Sequence, residues 1–366
     1  MIKILVTGAC GVTSRSVVRS LNQSALFKGK CEFIGTDVCY NEYGIYEGLY
    51  KKVYKVPYFN DDNYRPLMKR IIADNQIEYA ILIPEPEVLY WSQHPFNVKF
   101  LRIPPVFAKK VLSKKSLYEE LSGKSYIPNY QIISREEMLI EDNVKLNYPM
   151  WIRDYAEGTT SGKGSFMASN PDEIKAWATI NRGIPSFMLS EYLPGRNLAC
   201  FTLFHEGKLL KYGVAQRMEY LMGKVAVSGI TGNTCKGKLL NDRHVFEIAY
   251  DAISSIVSRT DEIMNGLVVT DLKENVNEEP IVTEINIRHV AFTSTFANAG
   301  LNFSEYQLLC MMGRTDEIPS GLTMKFPEDN CMLRDVDGLP LYLEHYASLE
   351  EGNYYEQASN KQTINQ

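Results

Sequence analysis

The first hundred residues alternate short apolar runs with helical periods, and this alternation limits the possible folds more than any other feature of the chain. Residues 2–6, Ile-Lys-Ile-Leu-Val, form an apolar run closed by Thr7-Gly8. Residues 14–21 have helical spacing, and residues 31–36 form a second apolar run that ends at Asp37. Residues 64–73 are again helical in spacing, and residues 80–83 form a third apolar run. Short strands separated by helices predict a parallel sheet with crossover helices. Pro84-Glu85-Pro86 interrupts the pattern, and Ile103-Pro104-Pro105 marks a boundary.

Beyond that boundary the pattern changes. Residues 113–121 read as a helix with Ser113 as N-cap, and residues 148–153 as a strand. A small-residue loop covers 158–165, followed by a helix over 171–180 capped by Asn170. Strands are expected at 187–192, 198–204 and 208–212, the last two joined by His205-Glu206-Gly207. Residues 245–258 read as a long amphipathic helix, and residues 267–272 and 281–287 as two further strands. From about residue 326 the chain is less regular, and the polar stretch 356–366 is expected to fray.

Composition excludes several classes. The chain has 366 residues, room for two or three domains at roughly 100–200 residues each. Its net charge of −5 argues against nucleic-acid binding, which needs a basic surface. No window approaches the roughly 18 continuous apolar residues of a membrane span. The N-terminus runs directly into the first apolar segment, without the pattern of a signal peptide. The seven cysteines are scattered without a Cys-x-x-Cys pair, and the five histidines are isolated. This usage fits reduced thiols in a cytoplasmic protein, with neither a disulfide frame nor a zinc site.

Thr7-Gly8-Ala9-Cys10-Gly11-Val12-Thr13-Ser14 follows a strand, opens a helix and precedes Asp37. That is close to a dinucleotide fingerprint, but the third glycine is Ser14. Tyr220 and Lys224 have the spacing of a dehydrogenase or epimerase acid/base pair, without the long helix such a pair needs. A nicotinamide enzyme is therefore the rival reading. The plainer reading gives Gly8 and Gly11 a tight strand-to-helix turn.

The sharpest chemical signal is Leu-Val-Val-Thr-Asp-Leu at 267–272, followed by Ile-Val-Thr-Glu-Ile-Asn-Ile at 281–287. Strand side chains alternate faces, so Glu284 and Asn286 share one face. A turn centred near Asn277 and Glu278 puts Asp271 opposite Glu284. Two facing carboxylates in a buried hairpin repel unless a cation lies between them. Two carboxylates and an amide oxygen are hard ligands suited to Mg²⁺, and Arg288 adds a planar fork for a phosphate or carboxylate. A hairpin with a wet polar face is the competing reading of these residues alone.

With its flanks, this region resembles the ATP-grasp superfamily, and within it single-unit relatives of the carbamoyl phosphate synthetase large chain. Glu284-Ile285-Asn286-Ile287-Arg288 is similar to the family's Glu-Ile-Asn-Pro-Arg, with Ile287 in place of proline. The resemblance implies an α/β chain: a Rossmann-like pre-ATP-grasp domain (1–112), an α+β ATP-grasp domain (113–325) with a mobile lid at about 125–190, and a C-terminal extension (326–366). By the resemblance, Asp271, Glu284 and Asn286 hold Mg²⁺, with Mn²⁺ able to replace it. Arg288 grips the transferred phosphoryl group. Lys114, Arg153 and Arg217 correspond to cations on the ATP phosphates. Ser161-Gly162-Lys163-Gly164 resembles the loop that folds over the triphosphate, with Lys163 adding charge near the reacting group. Glu191, Tyr192 and Leu193 correspond to the adenine linker. Asn197 stands where the family has a ribose-binding glutamate, which puts nucleotide preference in question.

The implied reaction activates a small-molecule carboxylate as an acyl phosphate and couples it to an amine. A free carboxylate does not react with an amine at neutral pH because its leaving group is oxide. Phosphorylation supplies a better one, and the protein's part is positioning and charge neutralisation. No Ser-His-Asp or Cys-His set is needed, and none is evident. A carbamoyl- or carboxyphosphate-forming enzyme is the alternative within the same resemblance. Carbamoyl phosphate synthesis uses two such units, whereas this chain holds one. Partners are then small molecules, not nucleic acid or membrane, and a homodimer stays open.

Overall fold

The computed structural model describes residues 1–39, 41–155, 165–229, 231–335, 348–356 and 363–365. The N-terminal sheet contains β1 (Ile2–Thr7), β2 (Cys31–Asp37), β3 (Lys52–Lys55) and β4 (Tyr79–Ile81), in the order β3-β2-β1-β4 and all parallel. The helices are α1 (Val12–Gln23), α2 (Tyr64–Asp74), α3 (Glu85–Gln93) and α4 (Pro105–Leu112). Parallel pairing follows from the crossovers the alternation predicted. Helix α3 begins at the Pro84-Glu85-Pro86 run, where the sequence pattern shows only an interruption. Proline lacks the N–H that a first helical turn leaves unpaired, so the run starts a helix as readily as it ends a strand.

Helix α5 (Lys114–Glu120) starts the second part of the chain, and Ser113 caps it by accepting the Ser116 N–H at 3.4 Å. A small antiparallel sheet follows, built from β5 (Tyr130–Ser134), β6 (Met150–Asp154), β7 (Phe166–Ala168) and β8 (Ser186–Glu191). Helix Pro171–Ile180 packs on it, with Asn170 accepting the Glu173 N–H at 3.0 Å. This sheet has its own apolar core, including Ile133, Met150, Ile152, Ile174, Phe187 and Leu189.

The largest continuous pairing is in the next sheet: β9 (Asn197–His205), β10 (Lys208–Tyr220), β11 (Thr234–Leu240), β12 (Gly266–Glu274), β13 (Pro280–Asn286) and β14 (Met332–Leu333), in the order β13-β12-β9-β10-β11-β14. Seven consecutive residues of β9, Leu198 to Phe204, are buried, so the strand is covered on both faces. Helix Arg243–Val257 covers one face, and helix Phe303–Met312 lies against the other. Strand β10 runs to Tyr220, eight residues beyond its expected end, because it pairs with β9 and β11 at once. Two apolar clusters run without a break from the N-terminal sheet into this one, so the two form a joint platform.

The tail does not follow the expected fraying throughout. Strand β15 (Tyr354–Glu356) pairs antiparallel with β3, and β16 (Thr363–Asn365) pairs with β15. Aromatic burial accounts for the docking: Tyr355 is buried, and the Tyr354 ring lies 4.6 Å from that of Tyr54.

Candidate active site

The hairpin of β12 and β13 sets the site. Its register places Asp271 opposite Glu284 and Val269 opposite Asn286, as the expected turn requires. Asn275 holds that turn by accepting the N–H groups of Asn277 and Glu279. A bulge follows Asp271, which re-aims its side chain relative to a regular ladder.

Each carboxylate faces a cation from another element. Lys114 Nζ, in the first turn of α5, lies 3.4 Å from Glu284 Oε2. Arg217, buried on β10, donates to Asp271 Oδ1 at 2.7 Å and to Asn197 Oδ1 at 3.3 Å. Burial pushes the Glu284 carboxyl up, but Lys114, Arg153 and Arg288 outweigh it and hold it below the usual value. At Asp271 burial dominates and raises the carboxyl; Arg217 opposes the rise and Glu284 adds to it. The two acids are therefore tuned in opposite directions, as expected of facing carboxylates.

The donor set suits a hard divalent cation. Asn286 Nδ2 donates to Asp271 Oδ2 at 3.3 Å, which leaves its amide oxygen as the atom for a cation. Among the described residues no group of three or more His, Cys, Asp or Glu gathers as a metal cluster. The hairpin register and the Asn286–Asp271 hydrogen bond bring two acids and an amide together.

A cavity opens beside this hairpin, between the small sheet and the large one. Arg153 and Trp151 of β6, Glu191 at the end of β8, Tyr192, Leu193 and Asn197 line it. Five of the expected binding residues thus share one cavity. The linker is set by Gly195, whose N–H donates to the Glu274 carbonyl at 2.9 Å. A Cβ at Gly195 would stand 2.5 Å from Glu274 Cβ, so no other residue fits there without a shift. The Glu191 carboxylate is held by Asn129, accepting its backbone N–H at 3.1 Å and its side-chain amide at 3.4 Å. Asn197 donates to Tyr220 OH at 2.7 Å. Ser161, Gly162, Lys163 and Gly164 lie outside the described residues.

Sequence reasoning missed two residues here. Lys273 lines the same cavity with its ammonium 5.1 Å from the Tyr192 ring centre, and alternation from Asp271 could have found it. Glu85, from the N-terminal platform, reaches the signature strand and is taken up below. His289, next to Arg288, is buried between Thr293 Oγ1 at 3.2 Å and Gln307 Oε1 at 2.8 Å. Burial holds its imidazole neutral, down to a pKa of about 4. Between about pH 6.5 and 4 the unfolded chain binds a proton that the folded chain refuses, so stability falls as pH falls through that window. His289→Gln should remove about 3 kcal/mol of that fall. Thermal midpoints of both proteins at pH 7 and pH 4.5 check it.

The nicotinamide reading loses its support. Asp37 is engaged by the glycine turn and by its own loop, accepting N–H groups from Cys10 at 2.9 Å and Val38 at 2.8 Å. Gly8 has φ +62°, and a Cβ there would meet Pro84 at 2.9 Å, so the glycine serves the turn. Tyr220 ends a strand, and a turn, not a helix, follows it.

A Rossmann-like sheet joined to two antiparallel sheets that enclose a cavity is the ATP-grasp fold. No protein-family profile and no curated protein matches the sequence. Solved structures do match. The N5-carboxyaminoimidazole synthetase from Staphylococcus aureus complexed with ADP aligns at TM-score 0.63 and 11% identity, over 88% of this chain and 79% of that one. The L-amino acid ligase from Bacillus licheniformis aligns at TM-score 0.60 and 12% identity, over 87% and 77%. A putative ATP-grasp superfamily protein from Archaeoglobus fulgidus aligns at TM-score 0.52 and 16% identity, over 84% and 88%. At such identities the likeness establishes the fold.

Proposed function

We propose that the chain is an ATP- and Mg²⁺-dependent ligase that activates a small-molecule carboxylate as an acyl phosphate and couples it to an amine. One observation carries this reading: facing Asp271 and Glu284, with Asn286 beside them, adjoin a cavity between two sheets and are surrounded by Lys114, Arg153, Arg217 and Arg288. The names of two matched structures, an L-amino acid ligase and a synthetase complexed with ADP, agree with it.

On this reading the cavity takes adenine against Tyr192 and Leu193, with Arg153 and Lys114 on the phosphates. Asp271, Glu284 and Asn286 would hold Mg²⁺, which when bound neutralises phosphate charge. Arg288 holds the γ-phosphoryl group as a carboxylate oxygen attacks phosphorus and ADP leaves. The amine nitrogen then attacks the acyl carbon, the bond from that carbon to the phosphate oxygen breaks, and inorganic phosphate departs as the nitrogen loses its proton. The protein's work is orientation and charge balance. Cytoplasmic placement fits such chemistry, and no helix among the described residues is long and apolar enough to cross a membrane.

The deciding experiment measures ADP release with Mg²⁺ against a panel of amino acids and small carboxylates. Calorimetry with MgATP runs beside it. Release that needs both an acid and an amine supports the ligase, whereas absence of nucleotide binding would overturn it.

A further inference from the structure

We propose that Glu85 is a positioning residue, a buried carboxylate from the N-terminal platform that fixes Arg288 and the signature strand in register for phosphoryl transfer. The inference rests on the ligase reading for its catalytic consequence, and on geometry alone for the contact. Glu85 lies in the first turn of α3, 202 residues from Ile287 in sequence. Its Oε1 accepts the Ile287 N–H at 3.3 Å and lies 3.8 Å from Arg288 Nε. Its side chain is only 7% exposed, so water does not screen the pair as it would at the surface.

The contact answers a need that the sequence creates. At Ile287 the resembling motif has proline, which carries no N–H. Isoleucine brings a buried N–H that must find an acceptor. The strand offers none here, because β13 ends at Asn286. Glu85 supplies it, and the same oxygen faces the guanidinium. Arg288 Nη1 also donates to the His289 carbonyl at 3.0 Å, so the fork is held from two sides. Burial raises the Glu85 carboxyl, Arg288 opposes the rise, and Glu284 adds to it. Burial works against charge on Glu85 and the Arg288 guanidinium 3.8 Å away works for it, so each side chain bears on the state of the other.

The arrangement ties the N-terminal platform to Arg288, which on the ligase reading grips phosphate. Catalysis by orientation is sensitive to such ties, since a displacement of about 1 Å can cost on the order of 10²-fold in rate. The informative variant is Glu85→Gln, which keeps size and an acceptor oxygen but removes the charge facing Arg288. We expect kcat for ADP release to fall by on the order of 10²-fold with KM for ATP unchanged. Glu85→Asp, which keeps the charge on a shorter stem, should recover part of the loss. A readout free of turnover is the Arg288 Nε–H signal in ¹⁵N-arginine spectra. Its chemical shift should move in Glu85→Gln, because the charge 3.8 Å from Nε is lost, and return toward the parent value in Glu85→Asp. A lowered thermal midpoint with unchanged kcat and unchanged Arg288 signal would make Glu85 a packing residue and overturn the proposal. So would unchanged kcat with a raised KM for the amine, which would place Glu85 on substrate instead. If the parent protein binds no MgATP, the ligase reading fails while the Arg288 signal still decides the contact.

Discussion

Glu284→Gln should lower ATP turnover by on the order of 10³-fold while leaving the fold intact. Glu284 is the acid that its surroundings keep ionised: burial works against the charge, and Lys114, Arg153 and Arg288 prevail. On our reading, a carboxylate in that state serves the metal and, through it, the transferred phosphate. The neutral amide has the same shape and can still meet Lys114, so the hairpin loses little. The cation near Glu284 is also partly exposed and is not stranded by the change. ADP release at saturating MgATP, together with a thermal scan, checks both halves. Turnover within about tenfold of the parent protein would remove Glu284 from the metal site.

Arg217→Met should have the largest effect on stability. Arg217 is 8% exposed in its side chain and donates to Asp271, Asn197 and the Leu198 carbonyl. Removing it leaves a partly buried carboxylate, already raised by its surroundings, without its cation. Breaking a buried pair from one side costs about 3–5 kcal/mol, whereas the intact pair contributes little net stability. The thermal midpoint should fall by several degrees. The same change should alter the response to metal. In the parent protein Lys114 and Arg217 already neutralise the two acids, so Mg²⁺ without nucleotide gains little there. In Arg217→Met, Mg²⁺ replaces the lost charge beside Asp271 and should raise the midpoint more than it does in the parent. Thermal scans with and without Mg²⁺ measure the difference. An equal rise in both proteins would show that the arginine does not compete with the cation.

These expectations depend on features of unequal visibility in the sequence. The facing of Asp271 and Glu284 was legible because strand alternation and turn length fix a hairpin register locally. The caps at Ser113 and Asn170 were legible for the same reason, since a cap joins residues three apart. The length of β10 was not legible, because its far half is stabilised by β11. The run at Pro84-Glu85-Pro86 is ambiguous in sequence, since proline closes one element and opens another with equal ease. Docking of Tyr354 and Tyr355 on the first sheet depends on an edge formed some three hundred residues earlier.

The sequence by itself therefore determined the parallel N-terminal sheet, the carboxylate hairpin and the set of cations available to it. These follow from periodicity, spacing and residue chemistry, which act over a few residues at a time. The tertiary structure alone decided which cation meets which acid: Lys114 with Glu284, Arg217 with Asp271, and Arg288 with Glu85. Those pairings join elements up to about two hundred residues apart, and no local rule carries that distance. They arise because continuous apolar cores lock the two large sheets into one platform, and that platform brings the side chains together.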